Sequence, residues 1–195
     1  MLIAKMNIIA ILGSPRRGGN SELLLDEAIA GVRSSGARVE KIVLSELKFV
    51  PCQNCGGCDK TGICIVKDDM QPIYKKLKSA DGIILASPIF FGSISAQAKA
   101  MIDRCQSVWV AKYVLKKRTK KARKGIFLSV SGSGERKFFL AAKKVAKYFF
   151  ATNDIEYTGD LFAPKADKKG DIKKYPGALK RSYKLGEGLA LACKI

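Results

Sequence analysis

The sequence predicts an α/β fold: an open parallel sheet covered by helices on both faces. Three observations carry this. Short apolar runs alternate with amphipathic stretches from Asn7 almost to the end of the chain, the pattern of repeated β-α units. The runs are continuous rather than period-two, as in strands buried on both faces. Three of them, NIIAIL, GIILAS and GIFLSV, exit into stretches rich in Gly, Ser and Pro, where the backbone can turn sharply.

Taken in order, NIIAIL (Asn7–Leu12) is the first strand. Asn20 and Ser21 can cap a helix running to about Ser34, with Leu24, Leu25, Ala28, Ile29 and Val32 on its apolar face. RVEKIVL (Arg38–Leu44) is the second strand, and a cysteine-rich loop follows at about 51–66. DDMQPIYKKLKSA (Asp68–Ala80) begins acidic and ends basic, as suits a helix dipole. GIILAS (Gly82–Ser87) is the third strand. The next helix spans Ile94 to about Trp109, with Ile94, Ala98, Met101, Ile102, Cys105 and Trp109 on one face. GIFLSVSGSG (Gly125–Gly134) holds the fourth strand, and the helix Arg136–Phe150 buries Phe139, Ala142, Val145, Ala146 and Phe149. DIEYTGDLF (Asp154–Phe162) is the fifth strand. A polar excursion, APKADKKGDIKKYP, leads to a last helix from about Gly177 to Cys193. With no repeat and no linker, residues 1–195 are expected to form a single domain with the cysteine loop inserted. Five parallel strands suggest the flavodoxin-like order 2-1-3-4-5, with a ligand bound beyond the carboxyl ends of the strands beside strand one.

The chain of 195 residues contains no histidine. That excludes Ser-His and Cys-His catalysis and His-ligated zinc. No apolar run approaches a membrane span, and the N-terminus has no cleavage-like region, so a cytoplasmic protein is expected. Lys and Arg number 36 against 17 Asp and Glu, a net charge of +19. Such a surface suits acidic partners or anionic cofactors. The densest cluster, KKRTKKARK (Lys116–Lys124), has no interleaved aromatics and no accompanying nucleic-acid motif, so nucleic acid is not the expected partner.

Three loops, after strands one, three and four, and the cysteine stretch carry chemistry. GSPRRGGNSE (Gly13–Glu22) is neither a Walker-type phosphate loop nor G-x-G-x-x-G. It offers the hydroxyls of Ser14 and Ser21, the Asn20 amide, the Arg16 guanidinium and a helix N-terminus, donors that suit a phosphate monoester. The plain alternative is a strand-to-helix turn. SPIFFGSIS (Ser87–Ser95) places Phe90, Phe91 and Gly92 where a flat aromatic ligand could lie; the alternative is that both phenylalanines are core. SVSGSG after strand four permits close backbone approach. The stretch PCQNCGGCDKTGICIV holds Cys52, Cys55, Cys58 and Cys64. Gly56, Gly57 and Gly62 let the loop fold tightly, so four thiolates can surround one site. An iron–sulfur cluster, tetrahedral zinc and metal-free thiols all suit this set. In a reducing compartment structural disulfides are not expected. Cys105 and Cys193 fall on apolar helix faces and read as small core residues. Trp109 and Tyr113 read as core or, preferably, as an oligomer interface, and Asp103–Arg104 as a helix-surface or interface pair.

GSPRRGGNS, ADGIILASPIFFGSISAQAKAMIDR and the C-x2-C-x2-C-x5-C loop followed by DDM together resemble the NADPH-dependent FMN reductase-like flavoproteins, and within them the iron-sulfur flavoproteins. The resemblance runs from about Asn7 to the last helix and is thin after Trp109. It implies bound FMN, with the phosphate at Ser14, Arg16, Asn20 and Ser21 and the ring at Pro88, Ile89, Phe90, Phe91, Gly92 and Ser93, aided by Ser131 and Gly132. It implies a [4Fe-4S] cluster on Cys52, Cys55, Cys58 and Cys64, and a homodimer or homotetramer. The expected function is an FMN oxidoreductase passing electrons from ferredoxin or NAD(P)H to a small acceptor. A cluster-free NAD(P)H-dependent FMN or quinone reductase and a non-enzymatic flavin carrier or regulatory module are the alternatives. The positive surface would steer an acidic carrier, with Lys116, Lys117, Lys120, Lys121, Arg123 and Lys124 as the docking field.

Overall fold

The computed structural model describes residues 6–117 and 123–194. The elements are β1 (Asn7–Leu12), α1 (Asn20–Ser34), β2 (Arg38–Val43), α2 (Met70–Ser79), β3 (Gly82–Phe90), β4 (Ser93–Ile94), α3 (Ala96–Arg104), α4 (Gln106–Trp109), β5 (Lys124–Val130), α5 (Arg136–Thr152), β6 (Glu156–Ala163) and α6 (Pro176–Ala192). The sheet order is β2-β1-β3-β5-β6, all parallel, with β4 paired antiparallel to the end of β3. Counting parallel strands only, this is the expected 2-1-3-4-5 order. The added feature is the β3–β4 hairpin, which carries β3 past Ser87 to Phe90.

Alternate residues of β1 explain the continuous apolar runs. Ile8, Ala10 and Leu12 pack under α1 and α6, while Ile9 and Ile11 pack under α2, α3 and α5. Both faces are therefore covered, and neither needs polar residues. Helices α1 and α6 meet at glycine. A Cβ on Gly186 would stand 1.9 Å from the Ala28 carbonyl oxygen, and one on Gly31 would stand 2.0 Å from that of Tyr183. Ser182 Oγ donates to the Leu24 oxygen at 2.6 Å across the same contact. None of the described helices is long and apolar enough to cross a membrane.

Several expectations change. The helix anticipated from Ile94 to Trp109 breaks at Cys105 and passes through α4 into a π turn over Val110–Val114. The break shifts the helical phase, so Val110 is buried and Trp109 is 42% exposed. Asp103 and Arg104 do not pair with each other. Asp103 binds Lys99 at the surface, and Arg104 is buried against Asp68. Arg123 is not part of a docking surface: it is buried, and its guanidinium donates to the carbonyls of Leu77, Lys78 and Asn153. Lys116 and Lys117 are exposed, whereas Lys120 and Lys121 lie outside the described residues. Cys105 is buried as expected, and Cys193 is half-buried.

Candidate functional site

The carboxyl ends of β1, β3 and β5 are tied together by small buried groups. The Gly13 N–H donates to the Ala86 oxygen at 2.7 Å. Ser95 Oγ donates to the Gly13 oxygen at 2.5 Å, the Ser95 N–H donates to Ser87 Oγ at 3.0 Å, and Ser129 Oγ donates to the Ser87 oxygen at 2.9 Å. A buried polar group left unpaired is costly, so this network fixes the roots of three loops relative to one another.

The loop after β1 leads into α1, whose N-cap is Gly19 and carries no side-chain cap. The first-turn amides are thus uncapped and point out of the positive end of a 15-residue helix. Ser14 is buried, and its Oγ accepts from the Arg16 N–H at 3.2 Å. Ser21 Oγ is buried with no partner among the described residues. Arg16 is exposed and donates to the Asp167 carbonyl at 3.1 Å. Asn20 neither caps the helix nor keeps a free amide. Its Nδ2 donates to the carbonyls of Ala166 and Lys168, and its Oδ1 accepts from the Ile172 N–H. It clamps the loop after β6, because that loop presents unpaired backbone groups within its reach. The same loop brings Lys169 over Gly18, where a Cβ would lie 3.1–3.2 Å from its Cε and Nζ. This ammonium beside the β1 loop was missed in the sequence because APKADKKGDIKKYP carries no periodicity to place it.

On the far side of the loop, Glu22 is buried among cations. It accepts from Arg17, from Lys41 and from the Gly18 N–H at 2.6 Å. Burial alone would raise its carboxyl, but these hydrogen bonds and charges prevail and bring it down to about 2. The unfolded carboxyl titrates near 4.5, so the unfolded state binds the proton first as pH falls. The stabilisation is complete above about pH 4.5 and is lost toward pH 2. Acid unfolding followed by circular dichroism is expected to show Glu22→Gln losing less stability than the parent protein over that window. Equal slopes for the two would contradict the role given to Glu22.

Beside this loop lies a cavity of about 380 Å³ lined by Ile89, Phe91, Gly92, Ser131, Gly132, Ser133 and Phe138. Phe91 and Gly92 connect β3 to β4 with φ of +47° and +74°. Positive φ at both central residues is the signature of a type I′ hairpin turn, and phenylalanine there is strained. Phe91 projects fully into solvent at the cavity rim, so it is not core. Of the expected ring residues, Ile89, Phe91, Gly92, Ser131 and Gly132 line the cavity. Pro88, Phe90 and Ser93 do not: Pro88 is paired to Val130 and Phe90 to Ser93 within the sheet. Phe138 was missed because it lies off the apolar stripe of α5.

The four loop cysteines line one small cavity of about 40 Å³ together with Arg104, Gln106 and Ser107. Gly56 and Gly62 adopt φ of +72°, and the Gly62 N–H closes a turn onto the Cys58 carbonyl at 2.7 Å. Gly62 packs where a Cβ would be 2.6 Å from Ala111 Cβ. Burial raises the Cys58 thiol, with Asp59 adding to it, and burial pushes the Cys105 thiol up to about 12. Among the described residues no three or more His, Cys, Asp or Glu side chains are gathered so as to hold a metal ion. The cysteine cavity and the Phe91 cavity share no lining residue.

Comparison with known proteins gives the chain its relatives. The sequence profile described as NADPH-dependent FMN reductase matches residues 6–152. An iron-sulfur flavoprotein of Methanosarcina thermophila is 37% identical over 128 residues, covering 66% of this chain and 64% of that protein. One from Archaeoglobus fulgidus is 33% identical over 155 residues, covering 80% of this chain and 77% of its own length. In other curated relatives the match spans about half of the relative's length. The solved structure of a flavodoxin from the domain Archaea superposes with a TM-score of 0.60 at 13% identity, covering 97% of this chain and 100% of that one. The fold is thus flavodoxin-like.

Proposed function

Because the chain belongs to the NADPH-dependent FMN reductase family, we propose that it is an FMN oxidoreductase of the iron-sulfur flavoprotein type, moving electrons from NAD(P)H or a small carrier such as ferredoxin to a small acceptor. The observation that carries the reading is the pairing, at the switch point of the sheet, of an uncapped helix N-terminus with the cavity under the Phe91–Gly92 turn. The residues fit the cofactor. Ser21 Oγ is a buried hydroxyl in need of a partner, and the α1 amides, Ser14, Arg16 and Lys169 supply further donors and charge for a phosphate. Gly92, Ser131 and Gly132 leave backbone accessible to a flat ring, and Phe91 and Phe138 offer it aromatic and apolar walls. FMN, when bound, supplies the hydride and one-electron chemistry. The chain's part is to hold the ring against backbone groups and to neutralise the phosphate, so the missing histidine is no obstacle.

The thiols of Cys52, Cys55, Cys58 and Cys64 would hold a [4Fe-4S] cluster. Their place around one common cavity supports this. Exposed Trp109 and Tyr113 would serve a homodimer or homotetramer, and Lys116 and Lys117 an acidic carrier.

The test is anaerobic purification followed by a visible spectrum, iron and sulfide analysis, and FMN titration of the stripped protein. Flavin bands with iron and sulfide are expected. Phe91→Gly is expected to gain about 1 kcal/mol of stability by relieving the turn, yet to bind FMN more weakly. A colourless protein that takes up no FMN would end the reading. Flavin bands without iron would leave the cluster-free reductase.

A further inference from the structure

We infer that Arg104 raises the reduction potential of the group held by the cysteine loop, by hydrogen bonding to the Cys64 sulfur, and that Asp68 partly offsets it. The inference rests on the cluster reading above. The Arg104 side chain is 1% exposed. Its Nη1 donates to the Val50 carbonyl at 2.8 Å and to Asp68 Oδ2 at 2.5 Å. Its Nη2 donates to Asp68 Oδ1 at 3.1 Å and to Cys64 Sγ at 3.4 Å. The fork is therefore held on Asp68 by two bonds, which aims one remaining N–H at the sulfur.

The support around this contact is rigid. Tyr74 Oη donates to the Arg104 carbonyl at 2.9 Å, pinning the end of α3 to α2. Gln71 Nε2 donates to the carbonyls of Cys64 and Val66 at 3.1 and 2.6 Å. Cys64 is thus anchored to two helices at both its sulfur and its backbone. Among the described residues no guanidinium or ammonium reaches Cys52, Cys55 or Cys58. The contact is one-sided, and it puts a buried cation against one corner of the thiol set.

Hydrogen bonds to sulfur and local charge are established levers on iron–sulfur potentials. Reduction adds negative charge, and a nearby cation donating to a thiolate stabilises the reduced form more than the oxidised one. Asp68 acts in the opposite sense. Burial tends to raise its carboxyl, but the Arg104 hydrogen bond outweighs this and holds it below the usual carboxylate range, so the negative charge is present at neutral pH.

The experiment is an anaerobic redox titration of the iron-loaded protein, following the iron signal by electron paramagnetic resonance. Arg104→Gln is expected to lower the midpoint by at least tenfold in the reduced-to-oxidised ratio at fixed ambient potential, which is 59 mV for a one-electron couple. Asp68→Asn, which uncovers the cation, is expected to raise it. If Arg104→Gln fails to fold or to hold iron, Arg104→Lys replaces it: the charge stays and the fork is lost, so the midpoint is expected to fall by less. Opposite shifts for the Arg104 and Asp68 variants support the inference. Shifts of the same sign, or an Asp68→Asn midpoint no higher than the parent's, overturn it. A parent protein prepared without air that holds no iron overturns the cluster reading itself.

Discussion

Gly186→Ala is expected to destabilise the protein by about 3 kcal/mol, the upper part of the range for overpacking, and to lower the melting temperature by roughly 6–12 °C for a chain of this length. On helix propensity alone the change should stabilise by up to about 1 kcal/mol, so the sign tests the packing. The new Cβ would stand 1.9 Å from the Ala28 carbonyl oxygen. That neighbour is helix backbone and cannot rotate away, so α1 and α6 must separate. The apolar cluster holding Leu24, Leu25, Ala28, Leu189 and Ala190 would open with them. Because α1 begins at the proposed phosphate site, FMN affinity should fall as well. Gly188→Ala is the control, since a Cβ there meets nothing within 4 Å and should leave the melting temperature unchanged or raise it. Thermal unfolding by circular dichroism decides; a Gly186→Ala protein as stable as the parent would mean that the helices do not meet as described.

The second large effect concerns iron. Cys52→Ser, Cys55→Ser, Cys58→Ser and Cys64→Ser are each expected to lose most of the iron and sulfide while still binding FMN, because the two cavities share no residue. A hydroxyl is a far poorer ligand than thiolate for an iron–sulfur cluster. Cys105→Ser and Cys193→Ser should keep their iron, since Cys105 is buried with its thiol donating to the Met101 carbonyl and Cys193 donates to the Asp81 carbonyl. Full iron in any one of the four loop variants would remove that cysteine from the ligand set. One zinc per chain in protein prepared without air would replace the cluster by a structural metal.

The loops with unusual composition stand out in the chain because their signals are local. Glycines among four closely spaced cysteines mark a folded loop, whereas the Phe91–Gly92 hairpin turn goes unread, because only the pairing of β3 with β4 defines it. Asn20 misled for the same reason. An asparagine at a helix start reads as a cap, whereas the acceptors that claim it belong to Ala166 and Lys168, 146 and 148 residues away in sequence. The helical phase extrapolated across Cys105 groups Trp109 with the apolar face, and it does not survive the break and the π turn that follows.

By itself, the sequence determined the alternation of the five parallel strands with helices, the parallel strand order, most of the apolar faces, and where the loops with unusual chemistry leave the sheet. Those properties follow from periodicity and from backbone freedom, which act over a few residues. Only the tertiary structure decided which charged groups are buried and what they face. Arg104 and Arg123 read like any other basic residues in a chain of net charge +19, yet one lies against Asp68 and the Cys64 sulfur and the other is spent on three backbone carbonyls. A buried cation must find its acceptors within hydrogen-bond reach, and which acceptors those are depends on how distant segments pack.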